Sequence, residues 1–198
     1  MLKSQIDAVM EDLGAHAVKI GMLHSAEIVQ TVAEAIDRHA LKNVVLDPVM
    51  VATSGAVLIE NQAIAALVNE LFKRAALVTP KLDEATLLVG NNLATEQDME
   101  KAADEMLNKD ARAVLLKGGH LAGDVVSDLL LTQNAKPHWM RATRIHTANT
   151  HGTGCTLSSA IAALWRWSLR CLMRLRPHGS LNHGHAPLVM RLKPTEFC

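Results

Sequence analysis

The 198 residues suffice for one domain with a short appendage, and a 49% hydrophobic content can fill a real core. Aromatics make up only 3% and Tyr is absent, so that core must be aliphatic, with the Met residues most simply read as filler. Twenty basic and twenty acidic residues cancel, which gives no support for a nucleic-acid or anionic-membrane partner.

Cys155, Cys171 and Cys198 are scattered without pairing logic, as expected of a reducing cytoplasm. The opening MLKSQIDAVMEDLGAH lacks the apolar run of a signal peptide; its Ile6, Val9, Met10 and Leu13 fall at helical spacing instead. No segment approaches the ~18 apolar residues of a membrane span. The expectation is a cytoplasmic chain.

Strand and helix signals then alternate. AVKIGML (17–23) is a short apolar run, followed by the helical pattern AEIVQTVAEAIDRHA. NVVLDPVM (43–50) is a β-branched run interrupted by Asp-Pro, and ENQAIAALVNELFKRA places Ile64, Leu67, Val68 and Leu71 on one helical face. ALVTP (76–80) predicts a third strand, LDEATLLV a short helix, and TEQDMEKAADEMLNKD a charged amphipathic one. AVLLKGG (113–119) predicts a fourth strand, and VVSDLLLT with KPHWMRATRI the two arms of a hairpin around Gln133-Asn134. Alternation with fully apolar strands predicts an α/β fold: a mostly parallel sheet flanked by helices in three layers. Ligands then bind beyond the carboxyl ends of the strands. Polar residues do fall there: Asp47, Thr79-Pro80, Lys117-Gly118-Gly119 and the turn that ends the series.

That turn, NTHGTGCTLSSAIAAL (149–164), runs from glycines into an Ala-rich helix. The first N–H groups of such a helix lack intrahelical partners, and with the helix dipole they make an anion site. A thiol in that position suits a weak base or nucleophile. A buried Cys in a tight glycine turn is the plainer alternative, and the convergence of polar strand ends favours a phosphate-handling enzyme over it. No Walker A sequence occurs, so this is not a P-loop protein.

AVKIGML, VVLDPVMVATSG, LVTPKLDEATLL, AVLLKGGHL and THGTGCTLSSAIAA together resemble the hydroxymethylpyrimidine/phosphomethylpyrimidine kinases of thiamine biosynthesis, of the ribokinase-like superfamily. The resemblance runs in order from the first helix to Leu164. It implies ATP-dependent phosphorylation of 4-amino-5-hydroxymethyl-2-methylpyrimidine and then of its monophosphate. By matching position, Gly152, Thr153 and Gly154 are implied to form the anion hole for the transferring phosphoryl group, with Cys155 as the base on the substrate hydroxyl. Lys117, Gly118, Gly119 and Thr79 are implied to lie on the nucleotide side. Asp47 and Glu84 are implied to help hold Mg²⁺, mostly through water, and Met22 to line the pyrimidine pocket. A homodimer is also implied, with a small-molecule pyrimidine as the substrate partner.

Each residue has a plainer role available. Asp47 before Pro48 can be a strand-end cap, Lys117 can reach solvent, and Glu84 can favour its own helix dipole. His120 and His151 read as hydrogen-bonded structural histidines, and His183-Gly-His185 has no convincing zinc spacing.

Three departures accompany the resemblance. The family begins with a strand and a Gly-Ser-Asp-Pro-Ser-Gly-Gly-Ala-Gly-type segment that grips the pyrimidine, and this chain starts inside the family's sequence. Lys81 stands in TPKLDEA where the family usually has Asn, which changes how Mg²⁺ is handled beside Glu84. From Trp165 the chain carries 6 of its 20 Lys and Arg but 1 of its 20 Asp and Glu, with no sustained period. The domain reading is therefore a kinase core over 1–164 and an atypical basic tail over 165–198, read as an out-of-frame or otherwise altered ending. Three alternatives accompany the kinase reading. One is a pyridoxal kinase. Another is an inactive remnant that retains nucleotide or subunit binding. The third is a Cys–His hydrolase using Cys155 with His151 or His120.

Overall fold

The computed structural model describes residues 1–52, 56–119, 121, 123–147 and 152–165. His120, His151, Cys171, Cys198, the His183-Gly-His185 pair and the tail beyond Trp165 lie outside the described residues. The described residues form one six-stranded sheet, ordered β1 to β6 in chain sequence. β1 (Val18–Ile20), β2 (Val44–Leu46), β3 (Leu77–Val78) and β4 (Ala113–Leu116) are parallel. β5 (Val125–Thr132) and β6 (His138–Thr143) complete the sheet as an antiparallel hairpin, with Asn134 at φ 61° in its turn. Each predicted strand is present; β5 matches its predicted run in full, and the others are shorter than theirs. Asp47-Pro48 and Thr79-Pro80 follow β2 and β3, and Pro has no N–H to continue a ladder.

The order fixes the layers. Strands that advance steadily in one direction through right-handed crossovers place every crossover helix on the same face. α2 (Ala26–Arg38), α3 (Asn61–Ala66) with its π-helical continuation Leu67–Leu71, α4 (Leu82–Val89) and α5 (Glu96–Asn108) all lie there. They bury Val44, Leu46, Val78, Val114, Leu116, Leu129 and Leu131 of the sheet. The alternate residues Val45, Leu77, Ala113, Leu115 and Leu130 face the other way, against Leu157, Ile161 and Ala162 of α6 (Thr153–Ala163). The period of two along the strands thus makes two apolar faces, which is why β2, β3 and β4 read as unbroken hydrophobic runs.

Local signals set the helix ends. Ser25 caps α2 by accepting from Ile28 N–H, Thr95 and Asp98 form a capping box for α5, and Gly90 at φ 79° ends α4. The N-terminal pattern is borne out only in part. α1 (Leu2–Asp12) forms and meets α2, with Asp7 Oδ1 2.7 Å from both Arg38 Nη2 and His39 Nε2. Ile6 and Met10 are half-buried, but Val9 and Leu13 are exposed, so the spacing marked a helix without marking a core face.

Candidate active site

The parallel strands end on one edge of the sheet, and each end delivers a polar side chain to it. Asp47 is the first residue after β2, and its N–H donates to Ile20 O of β1 at 2.9 Å. Its carboxylate is buried and fully engaged. Oδ1 lies 2.9 Å from Lys117 Nζ and accepts from the Thr79 hydroxyl at 3.3 Å. Oδ2 accepts from the Ser158 hydroxyl at 3.0 Å and lies 3.3 Å from Lys19 Nζ. Burial pushes the Asp47 carboxyl up, but Lys117, Lys19 and Ser158 together outweigh it and hold the group below the usual carboxylate range. Four strand ends and α6 are therefore tied to one carboxylate.

Lys117 follows β4, and its N–H donates to Pro80 O at 2.9 Å. Its ammonium lies against the start of α6, where a Cβ on Gly154 would sit 3.1 Å from Nζ. Gly152 caps that helix at φ 77°, a left-handed backbone that favours glycine. The turn predicted to hold an anion thus begins a helix, with a fixed cation beside its first turn. Cys155 sits exposed on that turn as a free thiol.

The next two residues of the Lys-Gly-Gly segment are held from beneath. A Cβ on Gly118 would meet Ser127 O at 1.9 Å, so only glycine fits. Gly118 N–H donates to Asp128 Oδ1 at 2.9 Å, a buried carboxyl that burial pushes up to about 6. Arg144, just beyond β6, donates to Gly119 O and Gly123 O at 2.7 Å each and to Leu121 O.

Glu84 lies in the first turn of α4. Its Oε2 accepts from Lys81 N–H at 2.8 Å, while its fully buried Oε1 has no hydrogen-bond partner among the described residues. Lys81 Nζ approaches Oε1 to 3.7 Å, and burial pushes the Glu84 carboxyl up. An orphaned carboxylate oxygen beside cationic side chains fits a Mg²⁺ that takes one protein oxygen, water and phosphate oxygens. Asp47, with both oxygens engaged, fits a water-mediated role. No group of three or more His, Cys, Asp or Glu side chains suited to a metal occurs among the described residues.

Of the residues singled out from the sequence, Asp47, Thr79, Lys117 and Gly154 are brought into contact, with Thr153 and Cys155 on the same helix start. Thr79 is buried, its hydroxyl turned to Asp47. Met22, two residues beyond β1, is half-exposed. Sequence reasoning missed Lys19, Ser158, Asp128 and Arg144. Lys19 and Asp128 carried a signal, since each is a charge set inside an apolar strand. Ser158 and Arg144 carried none.

The phosphomethylpyrimidine kinase family model matches residues 1–169. The chain belongs to this family. A hydroxymethylpyrimidine/phosphomethylpyrimidine kinase of Rhizobium meliloti (strain 1021) is 46% identical over 164 residues, 82% of this chain and 61% of that protein. The chain thus spans about three fifths of that curated relative's length. Among solved structures, the phosphomethylpyrimidine kinase of Clostridium difficile 630 is 34% identical with TM-score 0.73, over 88% of this chain and 71% of that one. Bacillus subtilis pyridoxal kinase in its ADP complex is 33% identical with TM-score 0.76, over 82% and 61%. The fold is accordingly ribokinase-like. As a member of the phosphomethylpyrimidine kinase family the chain is of a kinase lineage, and among its described residues no helix is long and apolar enough to cross a membrane.

Proposed function

We propose that the chain carries the phosphoryl-transfer site of a kinase that phosphorylates 4-amino-5-hydroxymethyl-2-methylpyrimidine and then its monophosphate, with ATP as donor. The observation that carries this reading is the Lys117 ammonium, paired with buried Asp47 and lying against the start of α6. Phosphoryl transfer needs positioning and charge neutralisation more than covalent chemistry. Lys117 and the N–H groups of Thr153, Gly154 and Cys155 offer fixed positive charge to the transferring group, with no reorganisation during the reaction. Cys155, exposed on the same turn, takes the proton of the acceptor hydroxyl. The Lys117-Gly118-Gly119 segment, clamped by Asp128 and Arg144, lines the nucleotide side. Glu84 would hold Mg²⁺ through its unpartnered oxygen, and Asp47 would support it through water. The metal, when bound, neutralises the charge of the nucleotide phosphates.

The test is a turnover panel of the hydroxymethylpyrimidine and pyridoxal with Mg-ATP. The pyrimidine should be phosphorylated with the higher kcat/KM. Cys155→Ala should lower its kcat by about 10²- to 10⁴-fold, as loss of a general base does. Preference for pyridoxal would move the assignment to the pyridoxal kinases, and an unaffected Cys155→Ala variant would remove the base from the scheme.

A further inference from the structure

Two ammonium groups flank Asp47, and only one of them is needed at the nucleotide side. Lys117 reaches Oδ1 from β4, on the side of the Lys-Gly-Gly segment and α6. Lys19 reaches Oδ2 from β1, the parallel strand farthest from β4. Its ammonium is held over Gly21, two residues on and on the same side of the strand. A Cβ there would lie 3.1 Å from Nζ and 4.0 Å from Cε, so the glycine clears the path of the lysine. Lys19 keeps 19% of its side-chain surface open, against 10% for Lys117. An ammonium has three donors, and the contact with Asp47 accounts for one. What remains is a fixed, partly open cation at the end of the strand that leads into Met22.

The proposed reaction sequence has a use for such a cation. In its first step the acceptor is a neutral hydroxymethyl group, and in its second it is the phosphate just made. An oxygen of that phosphate bonds to the γ-phosphorus while the bond from the γ-phosphorus to the β,γ-bridging oxygen breaks, and ADP leaves with the electron pair. The acceptor phosphate is largely dianionic at neutral pH, so no proton need be taken from it. Its difficulty is charge, because one anion must approach another. Lys117 and the α6 start serve the transferring group, leaving the acceptor side in need of its own countercharge.

Resting on the kinase reading above, we propose that Lys19 is a specificity-determining residue that binds the phosphate of the monophosphorylated acceptor, supporting the second phosphorylation more than the first. Asp47 orients it, and Gly21 makes its course possible.

The experiment compares the wild-type chain with Lys19→Gln and Lys19→Arg. It measures kcat/KM for each phosphorylation, and the Kd of the pyrimidine monophosphate by calorimetry without nucleotide. A charge-assisted hydrogen bond contributes ~1.5–3 kcal/mol, so Lys19→Gln should weaken monophosphate binding about tenfold to a hundredfold. The ratio of second-step to first-step kcat/KM should fall by a comparable factor. Lys19→Arg, which keeps the charge, should recover much of both. Equal losses in the two steps, with monophosphate binding intact, would overturn the proposal and leave Lys19 a structural partner of Asp47. A wild-type chain that phosphorylates neither acceptor and binds no monophosphate would overturn the kinase reading and this inference together. A wild-type chain that turns over both, with a ratio insensitive to Lys19→Gln, would overturn this inference alone.

Discussion

Asp47 shows how a buried charge is made tolerable. A lone buried carboxylate is strongly disfavoured, but here each oxygen has a hydroxyl and an ammonium within 3.3 Å. Asp128 is the opposite case. It is buried, accepts Gly118 N–H, has no ion-pair partner among the described residues within 4 Å, and is pushed from 3.8 up to about 6. The folded chain therefore binds this proton more tightly than the unfolded chain. The stabilisation that Asp128 contributes is fully present below the unfolded value and is lost as pH rises from about 4 through about 6. Two pKa units correspond to about 3 kcal/mol. Asn keeps an oxygen for Gly118 and carries no charge, so Asp128→Asn should be more stable at pH 7 by up to about 3 kcal/mol and should lose the decline between pH 4 and 6. Urea midpoints across that range check this, and a variant less stable at pH 7 would contradict it. At this scale the sequence was legible where a polar residue abuts a strand-ending Pro or Gly, as at Asp47, Thr79 and Lys117. Ser158 was not, because its use depends on a partner 111 residues away in the chain.

α6 joins the site to the core. Its first turn carries Gly152, Gly154 and Cys155, and one to two turns later it buries Leu157 and Ile161 on Val45, Leu77 and Leu115. Among the described residues it alone provides the helical cover of that face. Ile161 is 2% exposed, so Ile161→Ala should cost about 2–4 kcal/mol, from lost burial and the cavity left behind. A drop in the denaturation midpoint with an unchanged m-value would bear this out, and a change below about 0.5 kcal/mol would show that the helix is not packed as described. The helix was readable from its glycine turn and apolar run. Its role as cover for a whole sheet face was not, since that follows from the one-sided crossovers of α2 to α5. α1 misled in the other direction: helical spacing of apolar residues does not say what they meet, and Val9 and Leu13 meet solvent.

Across the molecule, strand–helix alternation and the unbroken apolar runs of β2, β3 and β4 fixed the class, because a parallel sheet covered on both faces has few other sequence signatures. The antiparallel hairpin was readable from its turn. Which strand neighbours which was not read, and it is this order that gathers Lys19, Asp47 and Lys117 on one edge. If this edge is a working nucleotide and pyrimidine site, the folded chain must bind both ligands. A thermal unfolding scan with Mg-ATP, with the hydroxymethylpyrimidine, and with neither tests it most directly, since a ligand that binds only the folded state must raise the midpoint. One cooperative transition, raised by each ligand, is expected. A transition that neither ligand moves, or none at all, would contradict it.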